Sequence, residues 1–418
     1  MDALKRYFHE KWIGLAITLV SIFVVSMLHL FGIFDVLELK SYDYRFTEVR
    51  GPLTGWAASD STYINMGTDV VLLEVDDEAW RLMPETWPYP RGTVWAKVIR
   101  NLAQAGAKVI AFDIQFDAPE TKSEYLHKFA NKIDSDELRQ LIPRHGDKIL
   151  AEAIREAKAY NTEVIINAKM VNEPNRRPPQ YIAEPVEEIM KAEPETGLIN
   201  DQLDDDAFSR RYAIFGEMSH QPGRYYLTLG VKAVKLFLGI SDTTIPRFDP
   251  GNHIWNYGDL KIQAYGNSNT FLVNYYGPAS GYKLQTEEDY PAWGTFPRYS
   301  LAYVIDTEDV DLRDPLEDID WMSQFLPGQI PEWIDAIENP DERQEMMEIM
   351  GVSGEFDVTK TPFYNKVVII GVAVEVIHDV KSTPFYNYLG VQQIMPGMET
   401  HANAIQTMIH DNYLNVVG

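Results

Sequence analysis

Residues 108–116 read KVIAFDIQF, a short apolar run with β-branched and aromatic side chains and an acid near its end. Its apolar residues follow one another instead of alternating. That pattern is expected of a strand buried on both faces, as in a parallel sheet. Immediately upstream, residues 93–105 place Val94, Val98, Leu102 and Ala105 at helical spacing, and Gly106 follows as a helix stop. Before that helix, residues 69–76 (DVVLLEVD) form a second such strand. Downstream, residues 147–160 carry Ile149, Leu150, Ala153, Ile154 and Ala157 on one helical face, with Asn161 as the stop. Val164, Ile165 and Ile166 then open a third strand. The order strand, helix, strand, helix, strand predicts an α/β fold with a mixed, mostly parallel sheet flanked by helices and joined by right-handed crossovers. Further along, residues 225–238 read as a helix, 270–276 as a strand, 366–372 (KVVIIGV) as a buried strand and 398–409 as a closing helix. No repeat or low-complexity linker divides them, so one composite domain is expected.

Nearer the N-terminus, residues 12–34 (WIGLAITLVSIFVVSMLHLFGIF) carry no formal charge. At about 1.5 Å per residue, that stretch is long enough to cross a hydrocarbon core of about 30 Å. It exceeds the apolar stretch of a signal peptide, and residues 31–39 offer no small-residue cleavage site. Lys5, Arg6 and Lys11 precede the stretch, and Asp35 and Glu38 follow it. The positive-inside tendency then makes residues 1–11 cytoplasmic, 12–34 a transmembrane helix, and 35–418 an extracytoplasmic domain on a cytoplasmic (inner) membrane.

Composition narrows the function. Of 418 residues, 45% are hydrophobic, and 23 Tyr, 18 Phe and 9 Trp argue for a packed core over disorder. The formal net charge of -25 excludes nucleic acid as a partner, because phosphate binding needs clustered Lys and Arg. Much of that charge is local: residues 306–357 hold 17 acids and 2 bases. The stretch 306–361 is therefore an acidic insertion, either a solvated helical excursion over the core or a docking surface bearing Trp321, Phe325 and Trp333. The absence of cysteine removes disulfides, thiolate metal sites and thiol nucleophiles.

Asp76 and Asp113 fall at or near the ends of parallel strands, where open α/β sheets bind ligands. With Asp379 and Arg91 they make up the candidate ligand-binding residues. The alternative for each is structural: a carboxylate that caps a helix or pairs with Arg91. His378 and His401 lack metal-ligand spacing, and a metal role is left unassigned. Asp204, Asp205 and Asp206 fail the calcium-loop pattern, because position six from Asp204 is Ser209. The plain alternative there is a turn in which Arg210 and Arg211 balance the acids. Phosphate-binding glycine loops and the G-x-S-x-G elbow are absent from the sequence, so no catalytic residue and no cofactor is assigned.

Several blocks in order resemble a known family, the CHASE domain of the second type. They include Tyr42-Asp43-Tyr44-Arg45-Phe46 after the anchor, VVLLEVDDEAW at 70–80, Trp87-Pro88-Tyr89-Pro90-Arg91 and AGAKVIAFDIQF at 105–116. Gly197-Leu198-Ile199-Asn200 with Asp204, Asp206, Arg210 and Arg211 follows, then LVNYYGP at 272–278, FPRYSLAYVI at 296–305, KVVIIGVAVEVIHDVKSTP at 366–384 and PGMETHANAIQTMI at 396–409. The acidic 306–361 insertion departs from the family, as do Ala79 and Ala207, where Ser and Gly are common. The resemblance implies an extracytoplasmic sensory region of a membrane receptor. Its cyclase or kinase output would belong to a domain outside these residues. A homodimer or larger membrane complex is expected, with a small-molecule or protein ligand. Two other readings stay open: an accessory subunit of a membrane complex, and a metal-dependent extracytoplasmic hydrolase using Asp76, Asp113 and Asp379.

Overall fold

The computed structural model describes residues 2–31, 33–53, 68–120, 145–280, 295–327, 340–349, 356–374 and 379–414, with isolated positions between them. Contacts divide the chain into two units, Met1–Gly51 and Pro52–Gly418.

The first unit holds α1 (Asp2–Leu30) and α2 (Ile33–Tyr44). Residues Lys11–Leu28 of α1 have a mean hydropathy of 2.0 and bury none of their surface against protein. The helix is thus long and apolar enough to cross a membrane, and Trp12, Leu19 and Phe23 stand exposed. Within the stretch 12–34 expected to cross the membrane, α1 stops at Leu30, and Ile33 and Phe34 belong to α2. The sequence has a glycine at 32, a weak helix former, between the two.

The second unit is α/β. In chain order its main elements are β1 (Val70–Val75), α3 (Asp77–Leu82), α4 (Ala96–Gln104), β2 (Val109–Phe112), α5 (Gly146–Ala157), β3 (Glu163–Asn172), β4 (Gln180–Ala183) and β5 (Glu195–Leu198). These are followed by β6 (Arg211–Ala213), α6 (Leu229–Leu238), β7 (Thr270–Leu272), β8 (Arg298–Ser300), α7 (Leu301–Ile305), β9 (Val367–Val372) and α8 (Gly397–Ile409). The main sheet runs β8-β1-β9-β2-β3-β4, with β5 also on β3. Every pairing in it is parallel except β3 with β4.

The apolar runs are continuous because both faces of the sheet are covered. Val71, Leu73, Val75, Ile110, Phe112, Val164, Ile166, Val368 and Ile370 share one core with α3, α4, α5 and α7. The alternate residues face α6 and α8, which pack on the opposite side. Gly106 (φ 83°) and Asn161 (φ 58°) both adopt the left-handed backbone expected of helix stops.

Several expected elements change length. The strand over 108–116 is only β2; Asp113 N–H still donates to the Ile370 carbonyl (2.8 Å), but the chain then turns and Phe116 packs edge-on against Phe112 at 5.5 Å. The 225–238 helix is a strand, Tyr225–Leu227, followed by α6, because Tyr225–Leu227 pairs with Phe215–Glu217. The 270–276 strand shortens to β7, which pairs with β6 outside the main sheet. In the acidic stretch, Leu312, Met322 and Leu326 belong to the core, and Trp321 lies against it. Trp333 lies outside the described residues.

Candidate functional site

The register of the sheet builds a row of residues across its carboxyl end. Glu74 stands opposite Ser300 of β8 and Gly371 of β9. Phe112 of β2 pairs with Ile370, so the next residue, Asp113, stands beside Gly371. Ala111 pairs with Ile165, and the same register continued puts Asp113 beside Asn167. Asn167 in turn pairs with Gly197 of β5. All point away from the main core, because their strand neighbours fill it.

The two glycines of this row lie where helices begin. A Cβ on Gly371 would come within 2.7 Å of Met398 Cβ in the first turn of α8. One on Gly197 would come within 2.7 Å of the Leu229 Cα that opens α6. Only glycine lets these N-termini approach the sheet so closely. The polar members, Glu74, Asp113 and Asn167, occupy the row between and beside them.

Around Asp113 the chain assembles a charged group. His401 of α8 places Nε2 3.8 Å from Asp113 Oδ2. Lys381 Nζ sits 2.5 Å from Asp201 Oδ2 and 3.1 Å from Asp379 Oδ1. The Gly397 N–H at the start of α8 donates to the Asp379 carbonyl (2.9 Å), which holds that segment over the helix. Tyr212 Oη accepts from the Gly230 N–H (2.8 Å) and lies 2.6 Å from His401 Nδ1. With Tyr212 donating to Nδ1, a neutral His401 carries its proton on Nε2, toward Asp113.

Burial raises the Asp113 carboxyl well above its ordinary range; Asp379 and Asp201 push the same way, and Lys381 opposes them. Burial pulls His401 down, which keeps the ring neutral. It also pulls Lys381 down, but Asp201 and Asp379 outweigh that and hold the ammonium above its usual range. The group is graded in depth: the Asp379 and Asp201 side chains are 41% and 35% exposed, whereas that of Asp113 is 6% exposed.

At the other end of the row, Glu74 is paired with Arg298 (Nη1 to Oε2, 2.6 Å). Glu399 of α8 lies fully buried nearby and accepts from Ser280 N–H (2.9 Å) and Ser280 Oγ–H (2.6 Å). Burial pushes Glu399 up to about 8, against the Ser280 hydrogen bonds.

Of the four residues expected to meet, the structure brings together Asp113 and Asp379. Asp76 is elsewhere: its Oδ1 accepts from Ala79 N–H (2.8 Å), capping α3, and from Ser300 Oγ–H (2.7 Å). Its strand, β1, is two places from β2, roughly 10 Å away. Arg91 is elsewhere too, ion-paired with buried Asp147 and donating to the Ala118 carbonyl (2.6 Å). The constellation Asp76, Asp113 and Asp379 is thus not assembled. His378 lies outside the described residues. Asp204 and Asp206 form the expected turn with arginine: Arg210 bonds both, and Arg211 bonds Asp204. Among the described residues, no group of three His, Asp or Glu is arranged to hold a metal ion.

Sequence reasoning missed Asn167, Asp201, Tyr212 and Lys381. Asn167 breaks an otherwise apolar strand, which was a usable signal; the other three gather only through the fold. A separate cleft of about 490 Å³ beside β5 contains Lys232 and Lys235, but both are already paired, with Glu195 and Asp242.

The family model of the CHASE2 domain matches residues 17–417, nearly the whole chain. In the comparisons with curated proteins and with solved structures, none matches.

Proposed function

The chain belongs to the CHASE2 family of extracytoplasmic sensory domains, and from that premise we propose that it is the ligand- or partner-binding region of a membrane-anchored signalling receptor. The observation that carries this reading is the polar row at the carboxyl end of the sheet. There the side chains of Asp113 and Asn167 share the sheet face against which α6 and α8 begin, with Asp201, Asp379 and Lys381 beside Asp113. The carboxyl ends of the strands are where open α/β sheets take small ligands.

In this reading α1 anchors the chain in a cytoplasmic membrane and the sheet domain lies outside it. A ligand that binds one arrangement of α8 better than another would shift the population between them, which is the minimum needed for signalling. Self-association in the membrane would give paired α1 helices a reference to move against. The family is sensory, and the role proposed for Asp113 and Asp379 is binding, not catalysis.

The experiment is mass spectrometry of small molecules that co-purify with the detergent-solubilised chain. The expected result is one stoichiometric metabolite, retained by wild type and lost from Asp113→Asn. A metabolite retained equally by that variant would place the ligand elsewhere. Loss of substrate from a turnover panel, dependent on Asp113, would replace sensing with catalysis.

A further inference from the structure

Two polar side chains of the row lack hydrogen-bond partners among the described residues. Asn167 is 3% exposed, and its Nδ2 donates to no described residue. The Asp113 carboxylate accepts no hydrogen bond from any described residue, and its ionic contact, His401 Nε2, stands at 3.8 Å. Buried polar groups are nearly always satisfied, so two neighbouring orphans on one sheet face mark a place that something else fills. Neither is explained by folding, since the apolar alternates of the same strands pack the sheet without them.

The charge around them selects what that something is. Asp201 and Asp379 set two carboxylates against one ammonium among the described residues, that of Lys381, which they already share, and beside them burial raises the Asp113 carboxyl so that it ionises only with a cation at hand. His401 is held neutral by burial and adds no cation. An anion entering would meet this excess, whereas a cation would relieve it. A metal ion is disfavoured by the absence of a three-ligand group among the described residues. A compact nitrogen cation with N–H donors fits beside Asp113, because its charge favours the ionised carboxylate and charge-assisted hydrogen bonds to that form are strong.

Resting on the sensory reading above, we propose that the polar row at Asp113 and Asn167 binds a small primary amine as its ammonium, with Asp113 as the counter-ion and Asn167 bonding a neighbouring acceptor on the ligand. The ammonium donates to Asp113 at the floor, and the Asn167 amide donates to a hydroxyl or carbonyl one or two bonds further along. Asp379 and Asp201 draw the cation in at the exposed rim.

The test uses the full chain in detergent, α1 included, and calorimetric titration with ethanolamine, which carries both an ammonium and a hydroxyl. Tetramethylammonium (equal charge, no N–H donor) and calcium serve as comparisons. Saturable ethanolamine binding is expected, with tetramethylammonium and calcium binding at least tenfold more weakly. Asp113→Asn should weaken ethanolamine by about ten- to a hundredfold, the loss of one charge-assisted hydrogen bond. Asn167→Ala should weaken it severalfold, and provides the test should Asp113→Asn fail to fold. Asp76→Asn, a carboxylate at a neighbouring strand end, should bind as wild type does. The proposal is overturned by no saturable binding, by tetramethylammonium or calcium binding as well as ethanolamine, or by unchanged affinity in both Asp113→Asn and Asn167→Ala. A co-purifying metabolite without a basic nitrogen, lost in Asp113→Asn, would overturn the ligand class while leaving the sensory reading intact.

Discussion

Arg210→Ala is expected to destabilise the sheet domain by about 3–5 kcal/mol, the loss seen when one partner of a buried ion pair is removed. Arg210 is 1% exposed. It donates to Asp204 Oδ2 (3.0 Å) and to both oxygens of Asp206 (2.8 and 2.9 Å), and its guanidinium stacks 4.5 Å from the Phe208 ring. Asp204 is itself buried, and among the described residues Arg211 alone would remain to compensate it without Arg210. The effect reaches the charged group around Asp113. Ser209 N–H donates to the Ser382 carbonyl (2.8 Å), so the same turn braces the segment that carries Asp379 and Lys381. Chemical unfolding measures the loss. Adding Asp204→Asn to Arg210→Ala should recover part of it, because the stranded charge is then gone; no recovery would show that the arginine acts through packing alone.

The second large effect concerns pH. Glu399 is displaced from an ordinary value of 4.5 to about 8 in the folded state, chiefly by burial, with Glu74 adding to the displacement. A carboxyl raised on folding keeps its proton longer in the native state than in the unfolded one. Between about pH 4.5 and 8 the native state therefore binds more protons, and stability falls as pH rises through that window. It is flat below the unfolded value and again above the folded one. Glu74 and Asp113 are raised in the same direction and steepen the fall. The expected decline is on the order of several kcal/mol by the linkage relation. Glu399→Gln is permanently neutral, so it should match wild type near pH 4.5 and exceed it near pH 8. Thermal midpoints across that range decide the matter. Equal slopes for wild type and variant would show that Glu399 is ionised and accommodated at neutral pH.

The parts of the fold legible in the sequence were those with a strong local signal. The runs at 69–76, 108–116 and 366–372 named β1, β2 and β9, and the helical spacing of Val94, Val98 and Leu102 named α4. What the sequence could not show was order in space. β9 inserts between β1 and β2, although it lies more than 250 residues from either, and this insertion separates Asp76 from Asp113. Strand neighbours far apart in sequence leave no periodic trace. The same holds for Asp201, Tyr212 and Lys381, which reach the group around Asp113 from three different segments. Tyr225–Leu227 misled for the opposite reason: its apolar residues fit a helix, but pairing with Phe215–Glu217 outweighed local preference. Arg91 likewise found Asp147, a partner supplied by α5 and out of reach of local reasoning.

The account depends above all on which side of the membrane the sheet domain occupies. Because the chain has no cysteine, one can be introduced as a unique label, at the exposed turn residue Asn252. Asn252→Cys should react with a membrane-impermeant maleimide in intact cells whose cytoplasmic membrane is sealed, while a cysteine introduced at Ala3, ahead of the apolar stretch Lys11–Leu28 of α1, should react only after that membrane is opened. Labelling in the reverse pattern would put the domain inside the cell and contradict the account.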